Sequence, residues 1–195
     1  PWWKDRLAVE GGDTHVVPNP LPPALERVAA GPPPAGPPAG PPDSPLRVLV
    51  MTRLVPGKGV ELALRAVAAM GRDVELTVAG GGPRSRALVR LAQRIGAPAT
   101  FSGWVRDGAK ENLLSSHHVL CHVSGHDASP MVAVEAMARG LPVVVLNSRS
   151  VPELVPHERA GLVVQRPETD LLTVALERLR DPALRIKLGQ GGRAW

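Results

Sequence analysis

The chain has 195 residues, of which 44% are hydrophobic and 21% charged, and carries a formal net charge of +5. That size and apolar content support one domain with a real core and exclude a wholly disordered chain. The single cysteine, Cys121, excludes a disulfide framework and any multi-cysteine metal centre, and no apolar run reaches the ~18 residues of a membrane-spanning helix.

Taken in chain order, Thr14–Val17 reads as a short strand stopped by Pro18-Asn19-Pro20. Residues 1–30 are then expected to be a strand and lead-in belonging to the same domain as residues 46–195. Residues 31–45 (GPPPAGPPAGPPDSP) hold eight prolines and three glycines, a density that neither helix nor sheet survives, and predict a solvated linker or loop. From Leu46 to Trp195 the pattern is regular. Strands are predicted over 47–51, 74–79, 99–102, 119–123, 142–146 and 161–165, and helices over 60–70, 84–95, 109–115, 130–139, 169–179 and 182–188. Apolar, β-branched runs alternating with helical segments specify an α/β fold: a mainly parallel sheet with helices on both faces. Ligands of such sheets sit beyond the carboxyl ends of the strands, so the loops after Met51, Ala79, Ser102, Val123 and Leu146 are where chemistry is expected.

The loop after the first of these strands is Thr52-Arg53-Leu54-Val55-Pro56-Gly57-Lys58-Gly59. It offers a guanidinium fork and an ammonium point charge beside glycines that admit close backbone approach, a combination suited to a diphosphate and equally to an ordinary surface loop. Gly80-Gly81-Gly82-Pro83 fits neither the dinucleotide fingerprint nor the P-loop, so nicotinamide and P-loop chemistry are disfavoured. The Gly run reads either as a ligand approach or as a tight turn with Pro83 opening a helix.

The richest stretch runs from Asp127 to Pro142. Ser129 suits an N-cap, Pro130 the first helical position and Gly140 the stop. The amides of Met131 and Val132 would then form an anion site at a helix N-terminus. Glu135 stands out on an otherwise apolar helix, about 9 Å along the axis from Ser129, and Asp127 precedes the helix, so two carboxylates bracket that terminus. His117, His118, His122 and His126 cluster nearby. A spacing of four would align His118, His122 and His126 on a helix, but Val119–Val123 reads as a buried strand on which 118 and 122 share one face and Cys121 points the other way, so core or loop roles are expected rather than a metal site. His126, next to Asp127, keeps the option of touching a ligand.

The basic balance favours anionic partners. The chain lacks a dense Lys/Arg run and has only 3% aromatics, so nucleic acid is not expected, whereas a phosphorylated small molecule or an acidic membrane surface fits.

Together these loops resemble glycosyltransferase family 4, retaining enzymes of the GT-B fold, in their donor-binding half. The resemblance covers most of the chain, from Val16-Val17-Pro18-Asn19-Pro20 to about Gly192. It is carried by Arg53-Leu54-Val55-Pro56-Gly57-Lys58-Gly59, by Gly80-Gly81-Gly82-Pro83, and by Phe101-Ser102-Gly103-Trp104-Val105. The fourth element is Asp127, seven residues, then Glu135-Ala136-Met137-Ala138-Arg139-Gly140-Leu141-Pro142. Asp127 stands where the family usually carries Glu, and Thr52 where it usually carries Gly.

The resemblance implies a Rossmann-like domain that takes a UDP- or GDP-linked sugar as substrate, with no further cofactor and no metal. Arg53 and Lys58 would neutralise the diphosphate as leaving group, assisted by Met131 and Val132. Glu135 would hold the ribose, and Asp127 the transferred sugar, so that Asp127, Arg53 and Lys58 form the catalytic set. Trp104 and Val105 would border the base, with Gly81 and Ser129 completing the donor site. The start at Pro1 without Met, and the end at Trp195, predict a domain cut from a two-domain enzyme. Its N-terminal acceptor domain would be missing and the remaining piece inactive alone. The expected location is cytoplasmic, with peripheral membrane contact of the full-length enzyme as a weaker expectation from its charge. The competing expectations are a nucleotide-sugar epimerase or a sugar phosphorylase on the same architecture, or a degenerate, non-catalytic nucleotide-sugar-binding domain.

Overall fold

The computed structural model describes residues 23–31, 44–127, 129–149 and 151–195. The expected strand at 14–17 and most of the proline-rich segment lie outside the described residues. Six strands form one sheet: β1 (Leu46–Met51), β2 (Val74–Ala79), β3 (Ala99–Gly103), β4 (Val119–His122), β5 (Val143–Leu146) and β6 (Gly161–Val164). Their order is β3-β2-β1-β4-β5-β6, and every pair is parallel. The eight helices among the described residues are α1 (Pro23–Ala30), α2 (Val60–Met70), α3 (Ser85–Ile95), α4 (Asp107–Ser116), α5 (Met131–Ala138), α6 (Val151–Leu154), α7 (Thr169–Arg178) and α8 (Pro182–Ala194).

Side-chain alternation divides the core into two layers, as the period of a strand requires. Val48 and Val50 of β1, Leu76 and Val78 of β2 and Cys121 of β4 point to one face, where α2, α3 and α7 cover them. Leu49, Leu120, Val143 and Val145 point to the other, against Leu114 of α4, Ala133, Ala136 and Met137 of α5, and Val151 of α6. Burial on both faces explains why these strands read as continuous apolar runs.

Several boundaries differ from the expected ones for local reasons. Pro83 does not open α3. Arg84 N–H bonds to Leu54 O at 3.0 Å and Ser85 N–H to Gly82 O at 3.1 Å, so Pro83 and Arg84 belong to a turn and the helix starts at Ser85. Ser129 is not the N-cap of α5. That position is Pro130, extended at ψ 102° and without a capping side chain, so the helix begins one residue later, at Met131. The lead-in contains α1, whose Leu25 is buried and which packs on α5. The last helix, α8, runs on to Ala194 because Gly189, Gly191 and Gly192 permit contact without a Cβ: one on Gly189 would lie 2.0 Å from Gly140 O, and one on Gly191 1.8 Å from Arg159 O.

The chain runs from β1 outward through β2 and β3, then returns to place β4 on the other side of β1. The loops after β1 and β4 lead to helices on opposite faces of the sheet, α2 and α5, and a crevice opens at this switch point. Two glycines keep the crevice walls close. Gly80 has φ 146°, and a Cβ there would lie 1.8 Å from Thr52 O; Gly59 has φ 72°, and a Cβ there would lie 2.1 Å from Val123 O. Gly80→Ala is expected to destabilise the chain by about 2 kcal/mol or more. Gly108→Ala, within α4 and facing open space, should instead stabilise it by roughly 0.5 kcal/mol. Urea-unfolding midpoints of the two variants test this opposition.

Candidate functional site

The loop after β1 is built onto its neighbours by backbone bonds. Thr52 N–H donates to Ala79 O at 3.0 Å and Leu54 N–H to Gly81 O at 2.9 Å, while Gly57 O accepts from Gly125 N–H at 3.2 Å. Three loops thereby form the rim of one cleft of about 460 Å³ at the carboxyl ends of the strands. Arg53 and Lys58 enter it from the loop after β1, Gly80 from that after β2, and Trp104 and Val105 from that after β3. His122, Asp127, Ser129 and Pro130 come from β4 and its loop, and Met131, Val132 and Glu135 from α5.

The structure thus brings together every expected site residue but one. Gly81 is not among the lining residues; Gly80 is. Gly81 turns its carbonyl to Leu54 and lies behind Trp104 Cβ. Sequence reasoning also misses Lys110, which reaches the cleft from α4 and ion-pairs with Glu135. The signal is hidden because α4 supplies little apolar periodicity by which to orient its faces. His122, expected in a core or loop role, is buried and also reaches the cleft.

Asp127 is the most strongly held acid. Lys58 Nζ lies 2.5 Å from Oδ1 and His122 Nε2 lies 2.9 Å from Oδ2. The hydrogen bond from His122, then those from Lys58 and Ser124, hold its carboxyl well below the usual range against the opposing cost of burial. Glu135 is the second acid, with its side chain only 14% exposed, and its helix is tied to α4 a second time. Arg139 donates through Nε to Glu111 at 2.9 Å and through a terminal nitrogen to Glu135 O at 2.7 Å. Arg53 differs from both lysines: it is exposed, and no carboxylate among the described residues pairs with it. It therefore brings an exposed guanidinium to the cleft that the first turn of α5 also lines. Of the amides of that turn, Ala133 N–H bonds back to Pro130 O at 2.9 Å. Trp104, 61% exposed, forms the lip, with the Arg106 guanidinium 6.0 Å from its ring centroid.

The histidines diverge. His118 Nδ1 accepts from Arg47 N–H at 3.0 Å at the start of the sheet, about 13 Å from His122 at the strand rise. His117 Nδ1 donates to Leu113 O at 2.7 Å while its Nε2 meets Thr77 Oγ1 at 2.9 Å, and burial lowers its pKa. His126 turns to Gly57 O at 3.4 Å and is not a lining residue. Among the described residues no three His, Cys, Asp or Glu side chains could hold a metal ion. Cys121 is buried and its thiol pushed up to about 12 by burial, so it is no nucleophile.

The model of the family described as glycosyl transferases group 1 matches residues 37–195. A GDP-mannose-dependent alpha-(1-6)-phosphatidylinositol monomannoside mannosyltransferase of Mycobacterium tuberculosis is 34% identical over 196 residues, covering 90% of this chain and 50% of that protein. An MMP alpha-(1->4)-mannosyltransferase of Mycolicibacterium hassiacum is 35% identical over 147 residues, covering 71% and 35%. Among solved structures, the sucrose-phosphate synthase of Thermosynechococcus elongatus superposes with a TM-score of 0.79 at 26% identity, over 99% of this chain and 50% of that one. Anabaena HepE, crystallised with UDP and glucose, superposes with a TM-score of 0.71 at 22% identity, over 77% and 43%. The fold is accordingly Rossmann-like, and the chain spans about half the length of the mycobacterial relative.

The depressed pKa of Asp127 links this site to stability. Its contribution is present above the unfolded carboxylate range near pH 4 and is lost as pH falls toward the folded value. Between pH 5 and pH 3, Asp127→Asn should therefore lose less stability than the unaltered chain, by roughly 0.5–1 kcal/mol after solvent screening. Urea unfolding at the two pH values measures the difference.

Proposed function

The chain belongs to the glycosyl transferases group 1 family, and on that premise we propose that it is the donor-binding half of a two-domain enzyme. That enzyme would transfer a sugar from a nucleoside diphosphate sugar with retention of configuration. The observation that carries this reading is the cleft lining: an Arg53 without a carboxylate partner among the described residues shares one cleft with Lys58 and the first turn of α5. A diphosphate in that cleft would receive a planar fork from Arg53, a point charge from Lys58 and the positive end of the α5 dipole, with the amides of Met131 and Val132. These groups would stabilise the nucleoside diphosphate as it leaves, so their role is electrostatic, without a covalent step of their own.

The remaining residues divide the rest of the donor. Glu135 accepts from the ribose hydroxyls, with Lys110 holding its carboxylate in the cleft. Trp104 and Val105 border the base at the lip, and Ser129 and Gly80 complete the lining. Asp127 faces the transferred sugar and acts with Arg53 and Lys58 at the reacting end. The activities that the mannosyltransferase relatives are named for favour GDP-mannose over a UDP-sugar as donor, and a lipid-linked glycan as acceptor. The acceptor would be held by the other half of the enzyme, so the isolated chain would bind donor and turn over little. An epimerase or phosphorylase would use the same cleft but yield an epimerised sugar nucleotide or a free sugar phosphate.

Calorimetric titration with GDP, UDP and ADP tests the reading. GDP should bind in a saturable manner and tighter than the other two. Arg53→Ala should weaken it tenfold or more, about 1.4 kcal/mol. Failure of all three nucleotides to bind would remove the donor site.

A further inference from the structure

The two ion-pair partners of Asp127 are not equivalent. Lys58 sits on the loop after β1, at the end of a flexible stem, and in the proposed function it also serves the donor diphosphate. His122 sits at the end of β4, in register with Val145 of β5, with its side chain 6% exposed. Because Asp127 is held ionised, His122 Nε2 carries the proton and donates to Oδ2 at 2.9 Å. An incoming diphosphate makes Lys58 divide its three donors between two anions. The imidazole, packed at a strand end, is the partner whose bond to Asp127 is not contested.

This matters because an aspartate reaches one methylene less far than the glutamate usual in the resembled family. A shorter carboxylate has less freedom to find a ligand hydroxyl, so where its backbone and its partners aim it decides what it can contact. His122 and Lys58 each take one oxygen of Asp127 and the Ser124 hydroxyl adds a third bond, which leaves about one of the roughly four lone-pair directions to accept from a hydroxyl in the cleft. Holding a polar group in its working orientation before the ligand arrives lowers the ordering cost of binding.

We propose that His122 is a positioning residue that fixes the Asp127 carboxylate for a hydroxyl of the transferred sugar. It thereby sets affinity for the sugar part of the donor and not for its nucleotide part. The proposal rests on the donor-binding reading of the cleft. It adds a role for a buried histidine that belongs neither to the cationic loop after β1 nor to the α5 terminus.

The test compares nucleotide with nucleotide sugar, using GDP against GDP-mannose and UDP against UDP-glucose, by calorimetry on three forms of this chain. These are the unaltered protein, His122→Gln and His122→Phe. Glutamine offers an N–H at about the reach of Nε2, and phenylalanine fills the ring volume with no donor. For whichever pair binds, all three forms should bind the bare nucleotide within about twofold, which also shows that the cleft has folded. His122→Phe should bind the nucleotide sugar about tenfold more weakly than the unaltered chain, and His122→Gln should recover most of that loss. Equal loss for nucleotide and nucleotide sugar in His122→Phe, or no loss for either, overturns the assignment while leaving the donor site intact. Absence of any nucleotide binding by the unaltered chain overturns the donor-site reading, and this assignment falls with it.

Discussion

At two points the segment Thr52–Gly59 and its neighbours come closer than any side chain would permit. Thr52 O occupies the space where a Cβ of residue 80 would stand, and Val123 O occupies that of residue 59. Those two approaches bind the loop after β1 to the loop after β2 on one side and to the end of β4 on the other. Backbone hydrogen bonds to Ala79, Gly81 and Gly125 then set its height above the sheet. The positions of Arg53 and Lys58 follow from this, because both side chains leave a backbone with little room to shift. A cleft whose rim is backbone packed on backbone is stiff, and a stiff rim can hold two cations in one cleft without a ligand present.

The charges inside show how that repulsion is managed. Lys58 is neutralised by Asp127 and Lys110 by Glu135, so two of the three cations of the cleft carry an internal counter-ion. Partly buried pairs of this kind gain less than their Coulomb energy, because both ions lose water. Their value lies in geometry: they keep two carboxylates aimed while leaving Arg53 as the cleft's guanidinium without a carboxylate partner among the described residues. An anion entering the mouth thus meets one uncommitted fork, one shared ammonium and a helix N-terminus. The two acids are held from different elements, Asp127 from the end of β4 and the loop after β1 and Glu135 from α4.

The histidines illustrate how one residue type takes different roles from its place along a strand. His117 and His118 lie at the foot of the sheet, where they bond to Thr77, Leu113 and the backbone of Arg47. His122 lies at its head, where the strand ends and the cleft begins. A rise of four residue steps along the strand separates His118 from His122, and that rise alone keeps them from sharing a ligand.

Much of this was legible in the chain itself, because the relevant signals are local. Alternating apolar runs and helical segments specified a parallel sheet covered on both faces, since strands buried on both sides have no polar face to show. The loop cations Arg53 and Lys58, the glycine turn and the Asp127–Glu135 spacing marked the cleft, since strand ends of such a sheet all point to one rim. Tertiary structure alone decided what pairs with what. Lys110 joins Glu135 from a separate helix, and Lys58 joins Asp127 across 69 residues. Gly80 displaces Gly81 from the lining, Pro130 displaces Ser129 as the cap, and α1 forms where sequence offered only a lead-in. Ion pairs of this kind are contacts between segments remote in the chain, and no local propensity or period records which residues a fold will bring within hydrogen-bond reach.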